Sequence, residues 1–311
     1  MLRYSVDDRT AARGCLVEAL ACCPDEPLYR ANLADVEAAL ARPQRPRPEA
    51  GVDWGFSHLK PWEAATLQLT ERVLGGLRGK IVLEVGGSLN LDAAVATGVE
   101  RWFTCEPQVE DEDPHPNYAR RKGDARAMAF ADCTFHGIYS SCAFEHIHEL
   151  GRALAEMARV LVPGRFVITQ FALIWSCGIG HHLHMEDPAG GPRLSFNSPI
   201  VPAWGHLLLE EEELRRFLVL GRGEAVAARA VFDIYHGSYL NRMFESEFRE
   251  VFAASPLRIE RLVPWGATRR PSAALLERLN ERHPGRVGFG LEGFSAVLQK
   301  PVESGESRFG G

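Results

Sequence analysis

Ile81-Val-Leu-Glu84-Val-Gly86-Gly87-Ser88 runs a short apolar strand straight into two glycines, and a helix-compatible run, Asn90 to Thr97, follows. An uninterrupted apolar strand of this kind is covered on both faces, as in a parallel sheet. Glycine directly after it lets the backbone turn tightly and approach a bound ligand with no Cβ in the way. Taken alone, the turn is shared by many nucleotide-binding folds, and a Gly-Gly pair after a strand is also a common structural turn. The next strand signal, Arg101 to Cys105, ends at Glu106, about 20 residues beyond the glycines, where a carboxylate can accept hydrogen bonds from both hydroxyls of a ribose. A nicotinamide enzyme shares this spacing but usually carries a fuller G-x-G-x-x-G.

Further outward, Gly137 to Cys142 and Phe166 to Phe171 read as strands. Between them Leu150, Ala153, Leu154, Met157, Ala158 and Leu161 form one helical face, which Pro163-Gly164 stops. The alternation predicts an α/β fold, a parallel sheet with helices on both faces. Trp175 to His206 has no clear period and reads as a lid or insertion. Helices are expected over Pro61 to Leu77, Glu210 to Leu218 and Asn241 to Phe252. Two strand-like runs close the chain, Arg258 to Val263 and Gly293 to Gln299.

Toward the N-terminus, Ala12, Cys15, Leu16, Ala19, Leu20 and Cys23 keep helical spacing, and a second series follows at Tyr29, Leu33, Val36 and Leu40. The hairpin Glu18-Ala-Leu, Pro24, Tyr29-x-x-Asn32-Leu-Ala resembles a single tetratricopeptide repeat. No second copy exists, so a helical cap on the main domain or on a second subunit is the plainer reading. The prolines of Arg42 to Gly51 make an extended linker. The expected division is therefore a helical extension with linker over 1–50, a main domain over 51–301 with an insertion at about 175–206, and a disordered tail over 302–311.

The 311 residues are 46% hydrophobic and 24% charged, with a net charge of −6, which fits a globular protein and gives no attraction for nucleic acid or anionic lipid. The N-terminus lacks a signal-peptide run and no segment reads as a membrane span. Seven cysteines with no CxxC pair read as free thiols in a reducing compartment, so a cytoplasmic enzyme is expected.

Gly123-Asp124-Ala125-Arg126-Ala-Met128-Ala-Phe130-Ala-Asp132-Cys-Thr134-Phe135, then Glu145-His146-Ile147, then Arg159-Val-Leu161-Val-Pro163-Gly164, closely resembles the class I S-adenosylmethionine-dependent methyltransferases of the methyltransferase-11 type. The resemblance covers about Leu74 to Ala172. It implies a Rossmann-like, seven-stranded, mostly parallel sheet with its last strand antiparallel beside the fifth, and S-adenosylmethionine as cofactor. It assigns Glu84 and the Gly86, Gly87 and Ser88 backbone to the methionine and ribose part of the cofactor, and Glu106 to the ribose hydroxyls. Asp124 with the Ala125 backbone would hold adenine, and Ser141, Cys142 and Ala143 would line the wall below the sulfonium. The sequence departs from the family's pattern where Leu89-Asn90 replaces the third glycine, His136 replaces an aspartate, and Arg165 replaces a second glycine.

For the acceptor, His146 and His181 are the candidate bases. Trp175-Ser-Cys177-Gly-Ile-Gly180-His181-His182-Leu-His184-Met-Glu186-Asp187 holds a set that fits acceptor binding, a metal or a hydrogen-bonded loop. If the segment is extended, His182 and His184 share one face, which suits two ligands better than three, and no metal is assigned. Trp54, Phe56, Trp175, His182, His184, Tyr235 and His236 are the candidate substrate-binding residues. The acidic loop Glu110 to Asp113 reads as solvated. The expected activity is methyl transfer to a small-molecule acceptor in natural-product or glycan tailoring, with a homodimer through the N-terminal helices. The alternatives are a non-methyl-transfer reaction in the same cofactor pocket and a non-catalytic partner-binding module.

Overall fold

The computed structural model describes residues 13–14, 16–17, 20–21, 24, 27–41, 59–188, 190–196, 200–266 and 270–302. These residues fold as two compact units whose segments alternate along the chain. A sheet unit takes the described residues from Leu59 to Ala172, then Glu247–Trp265, then those from Gly293 onward. A helical unit takes the described residues before 50 together with Leu173–Ser246 and Gly266–Glu292.

The sheet unit begins with the helix Pro61–Leu74. Pro61 fits the first helical position, where no N–H is needed, and the Lys60 N–H donates to Glu63 Oε2 at 2.9 Å. The strands β1 (Ile81–Val85), β2 (Arg101–Glu106), β3 (Glu112–His115), β4 (Tyr118–Lys122), β5 (Gly137–Ser141) and β6 (Phe166–Ala172) follow. After β7 (His184–Met185) and β8 (Leu194–Ser195), which belong to the helical unit, come β9 (Arg258–Trp265) and β10 (Gly293–Gln299). The sheet order is β3-β4-β2-β1-β5-β6-β10-β9. β1 pairs in parallel with β2 on one side and β5 on the other, which is why its residues are almost uniformly buried and apolar.

The last strand is antiparallel to β6, with Phe294 opposite Phe171, as the family resemblance implies. The count of seven strands is corrected to eight. The stretch read as a solvated acidic loop includes β3, an antiparallel edge strand on β4. Its acids meet the basic face of β4, with Arg120 and Glu112 at 2.5 Å, Arg121 and Asp113 at 2.8 Å, and Lys122 and Glu110 at 2.7 Å. Charges and Pro114 suit such an edge because they discourage further strand pairing.

In the helical unit, Pro27–Ala41, Glu211–Arg222, Glu224–Tyr235 and Ala273–Arg282 are helices, and β7 and β8 form a small antiparallel pair. Their core gathers on the fully buried Trp204. The Trp204 indole N–H lies 2.9 Å from the Phe289 carbonyl, and Asn32 Oδ1 accepts from the Ala203 N–H at 2.8 Å. The expected N-terminal extension thus shares a core with the insertion. Most of its first helix, the proline linker, Trp54 and Phe56 lie outside the described residues, as do positions 303–311 of the expected tail. The helix expected from Asn241 starts at Glu245, because Arg242 adopts a left-handed backbone with φ 54° that interrupts α-helix. No helix among the described residues is long and apolar enough to cross a membrane. Cys105, Cys133, Cys142 and Cys177 are free thiols.

Candidate functional site

Strand order reverses between β1 and β5, and in open α/β sheets ligands bind at the carboxyl ends of the strands beside such a switch point. The glycine turn lies there. Gly86 has φ 109° and Gly87 φ 58°. A Cβ on Gly86 would come within 2.5 Å of the Ala143 Cβ, and one on Gly87 would run into the Glu106 carboxylate. The two glycines therefore leave a cradle bounded by the end of β2 and the residues after β5.

Glu84 lies beneath this turn with no exposed surface. Its Oε1 accepts from the Leu89 N–H at 2.8 Å and the Ser88 hydroxyl at 3.3 Å, and its Oε2 accepts from the Trp102 indole at 2.9 Å. Burial pushes its carboxyl up to about 7, against these hydrogen bonds. Glu84 thus shapes the loop from below. The departures at 89 and 90 find their reason here: Leu89 is buried and supplies that N–H, while Asn90 Oδ1 caps the next helix by accepting from the Ala93 N–H at 2.8 Å. His136 is explained too, since its Nδ1 accepts from the Ile81 N–H at 3.0 Å and fixes the start of β1.

Glu106 is half-buried, and burial raises its carboxyl while the Arg120 charge opposes the rise. Asp124 is tied to Arg126, whose backbone N–H lies 2.8 Å from Oδ1 and whose Nη2 lies 2.6 Å from Oδ2. That guanidinium holds the Asp124 carboxyl below its ordinary value, and its Nη1 reaches Glu149 at 2.8 Å. Ala125 and Ser141 are buried. Cys142 has φ 52°, and burial pushes its thiol up to about 12, so it is no nucleophile. In the turn Phe144–His146, Glu145 is buried and His146 Nε2 lies 3.9 Å from Glu145 Oε1. The sequence marks only the histidine of this pair as a candidate base. The signal for the acid was its place two residues past Ala143.

In the helical unit, His181 Nδ1 accepts from the Leu183 N–H at 3.1 Å, a bond that assigns the ring proton to Nε2. His182 Nε2 accepts from the Leu173 N–H at 3.3 Å, and its ring lies 5.7 Å from Phe196 and 6.4 Å from Tyr239. Trp175 lies under the Arg242 guanidinium at 5.6 Å and against His206 at 4.6 Å. His206, unmarked in the sequence, is buried and pushed down to about 4 by desolvation. Three candidates stand elsewhere: His184 is exposed in β7, the Tyr235 hydroxyl donates to the Leu209 carbonyl at 2.9 Å, and His236 pairs with Glu211 at 3.0 Å on the surface.

Residues 84–169 match the family model described as a methyltransferase domain. The chain is similar to a demethylmenaquinone methyltransferase of Thermobifida fusca, 45% identical over 51 residues that make up 16% of this chain and 22% of that protein. The matching stretch thus spans about a fifth of that relative. Among solved structures it is similar to an S-adenosylmethionine-dependent methyltransferase from Mesorhizobium loti, at 12% identity and a TM-score of 0.44 over 76% of this chain and 97% of the other. It is also similar to the 1,6-didemethyltoxoflavin-N1-methyltransferase of Burkholderia thailandensis, solved with its substrate and S-adenosylhomocysteine, at 14% identity and a TM-score of 0.41 over 78% and 79% of the two chains.

Proposed function

We propose that this chain is an S-adenosylmethionine-dependent methyltransferase acting on a small-molecule acceptor. The observation that carries the reading is the cradle at the switch point, where two positive-φ glycines lie against the Glu106 carboxylate. Such a gap accepts a ribose whose two hydroxyls donate to that acid, and a residue with a side chain at Gly87 would close it. When bound, the cofactor supplies an electrophilic methyl group that passes to the acceptor's lone pair as the carbon–sulfur bond breaks.

The chain's own residues hold and orient. Glu84 fixes the glycine turn, Glu106 takes the ribose, and Asp124 with the Ala125 N–H borders the adenine. Ser141, Cys142 and Ala143 form the wall beneath the sulfur. His146 takes the proton that an N–H or O–H acceptor loses. Taken by itself, the helical unit offers Trp175, His182, Phe196, Tyr239 and Arg242 as candidate acceptor contacts, with flat aromatic faces and one guanidinium. That mixture suits a planar, partly polar compound of the kind modified in natural-product or glycan tailoring.

Calorimetric titration with S-adenosylmethionine and S-adenosylhomocysteine tests the central claim on wild type and Glu106→Ala. Losing hydrogen bonds to a charged acceptor costs roughly 1.5–3 kcal/mol each, so affinity is expected to fall at least about tenfold. Equal affinity in the variant, or no binding by wild type, would refute the reading.

A further inference from the structure

Trp102 is fully buried on β2, in the same apolar cluster as Leu89 of the glycine turn. It stands opposite Val82, which shares a face of β1 with Glu84, and Tyr139 of β5 covers its ring at 5.5 Å. The Trp102 indole N–H donates to Glu84 Oε2 at 2.9 Å, while Oε1 accepts from the Leu89 N–H at 2.8 Å and the Ser88 hydroxyl at 3.3 Å. One carboxylate thus ties the turn to the neighbouring strand. The arrangement needs an ionised acid. The Leu89 and Trp102 N–H groups only donate, so of the three partners only the Ser88 hydroxyl can accept the proton of a neutral Glu84, and part of the network is given up.

We infer that Trp102 is a positioning residue for cofactor binding: its N–H keeps Glu84 ionised and so holds the glycine turn in its binding shape. The inference rests on the reading of the chain as a methyltransferase, and it adds a residue and a pH dependence to it. Burial pushes the Glu84 carboxyl up to about 7, and the Trp102 bond is one of the contacts that oppose the rise. The other groups facing this acid keep their charge near neutral pH. Burial first, and then the Glu84 charge, raises the phenols of Tyr118 on β4 and Tyr139 on β5. Arg120 hydrogen-bonds Tyr118, and Glu63 on the helix Pro61–Leu74 adds to the rise at Tyr139. Both phenols therefore stay protonated, and among these groups a step near neutrality belongs to Glu84. Cofactor affinity should be highest above about 7 and fall as pH drops below it, by at most about tenfold per pH unit for one proton.

Calorimetric titration of the full chain with S-adenosylhomocysteine, repeated across this pH range, reads the midpoint of the step. Trp102→Phe, which keeps an aromatic ring without the N–H, should move the midpoint up by about one pH unit, the effect of one hydrogen bond to the ionised form. Affinity should recover at higher pH. Replacing the Trp102 indole by benzothiophene, its sulfur isostere, should shift the midpoint likewise while the bicyclic shape is kept, so a packing defect in the first variant does not decide the result. Glu84→Gln, uncharged at every pH, should abolish the step. A wild type with no step overturns the inference. So does a benzothiophene protein that keeps the wild-type midpoint or loses affinity equally at every pH, because the indole then only fills space. Failure of wild type to bind S-adenosylhomocysteine at any pH instead overturns the methyltransferase reading itself, and this inference with it.

Discussion

At the scale of single residues, Glu84 and Glu145 hold their protons in the fold longer than in the unfolded chain, because burial penalises their charge. The sign of the pH dependence follows. From about 4.5 upward the unfolded carboxyls lose protons that the folded ones retain, so stability falls as pH rises, up to about 7 for Glu84 and about 8 for Glu145. Each proton contributes a slope of at most about 1.4 kcal/mol per pH unit. Denaturant unfolding between pH 5 and 8 should show this decline, and Glu145→Gln should make it shallower up to the top of that range. A variant with the wild-type slope would show that Glu145 ionises freely in the fold. The sequence made Glu84, Glu106 and Asp124 legible as candidates because each ends or follows a strand in a recognisable order. It left the loop-supporting place of Glu84 and the Arg126 clamp on Asp124 unseen, since both depend on hydrogen bonds that no spacing encodes.

At the scale of elements, the strand-turn-helix from Ile81 to Ala96 is the unit that makes the site. Its turn tolerates no side chain at Gly87, where φ is 58° and a Cβ would meet Glu106. A left-handed backbone costs a residue with a Cβ roughly 1–2 kcal/mol, and the displaced carboxylate adds to that. Gly87→Ala should therefore keep the far-ultraviolet circular dichroism of the wild type yet bind S-adenosylhomocysteine at least about tenfold more weakly. Undiminished binding would place the ribose elsewhere. The strands β1, β2, β5, β6 and β10 were readable from runs of apolar residues, and the helix Leu150–Val160 from its clean apolar face. β3 was not, because its acids carry no strand pattern and it is held by the Arg120, Arg121 and Lys122 side chains of β4. The helix Glu224–Tyr235 escaped notice next to its neighbour, since Gly223 alone separates the two.

At the scale of the whole molecule, each unit has a hydrophobic core among the described residues, and each core can be tested by itself. Differential scanning calorimetry should show S-adenosylhomocysteine at a hundredfold excess over its dissociation constant stabilising the sheet unit by about 2.7 kcal/mol. Trp204→Ala should destabilise the helical unit by about 3–5 kcal/mol, the usual cost of emptying a buried aromatic site. No stabilisation by the ligand, or an unchanged melting temperature in Trp204→Ala, would contradict these assignments. The antiparallel last strand was implied only by the family resemblance; the sequence by itself determined the α/β class, the glycine turn and the order of the acids Glu84, Glu106 and Asp124. These are written in local periodicity and short motifs, which neighbouring residues suffice to express. Only the tertiary structure decided that the N-terminal helix shares a core with the insertion, that an eighth strand closes the sheet edge, and that Glu145 is buried beside His146. Each depends on groups that are distant in sequence meeting in space, and a pattern read along the chain does not record such meetings.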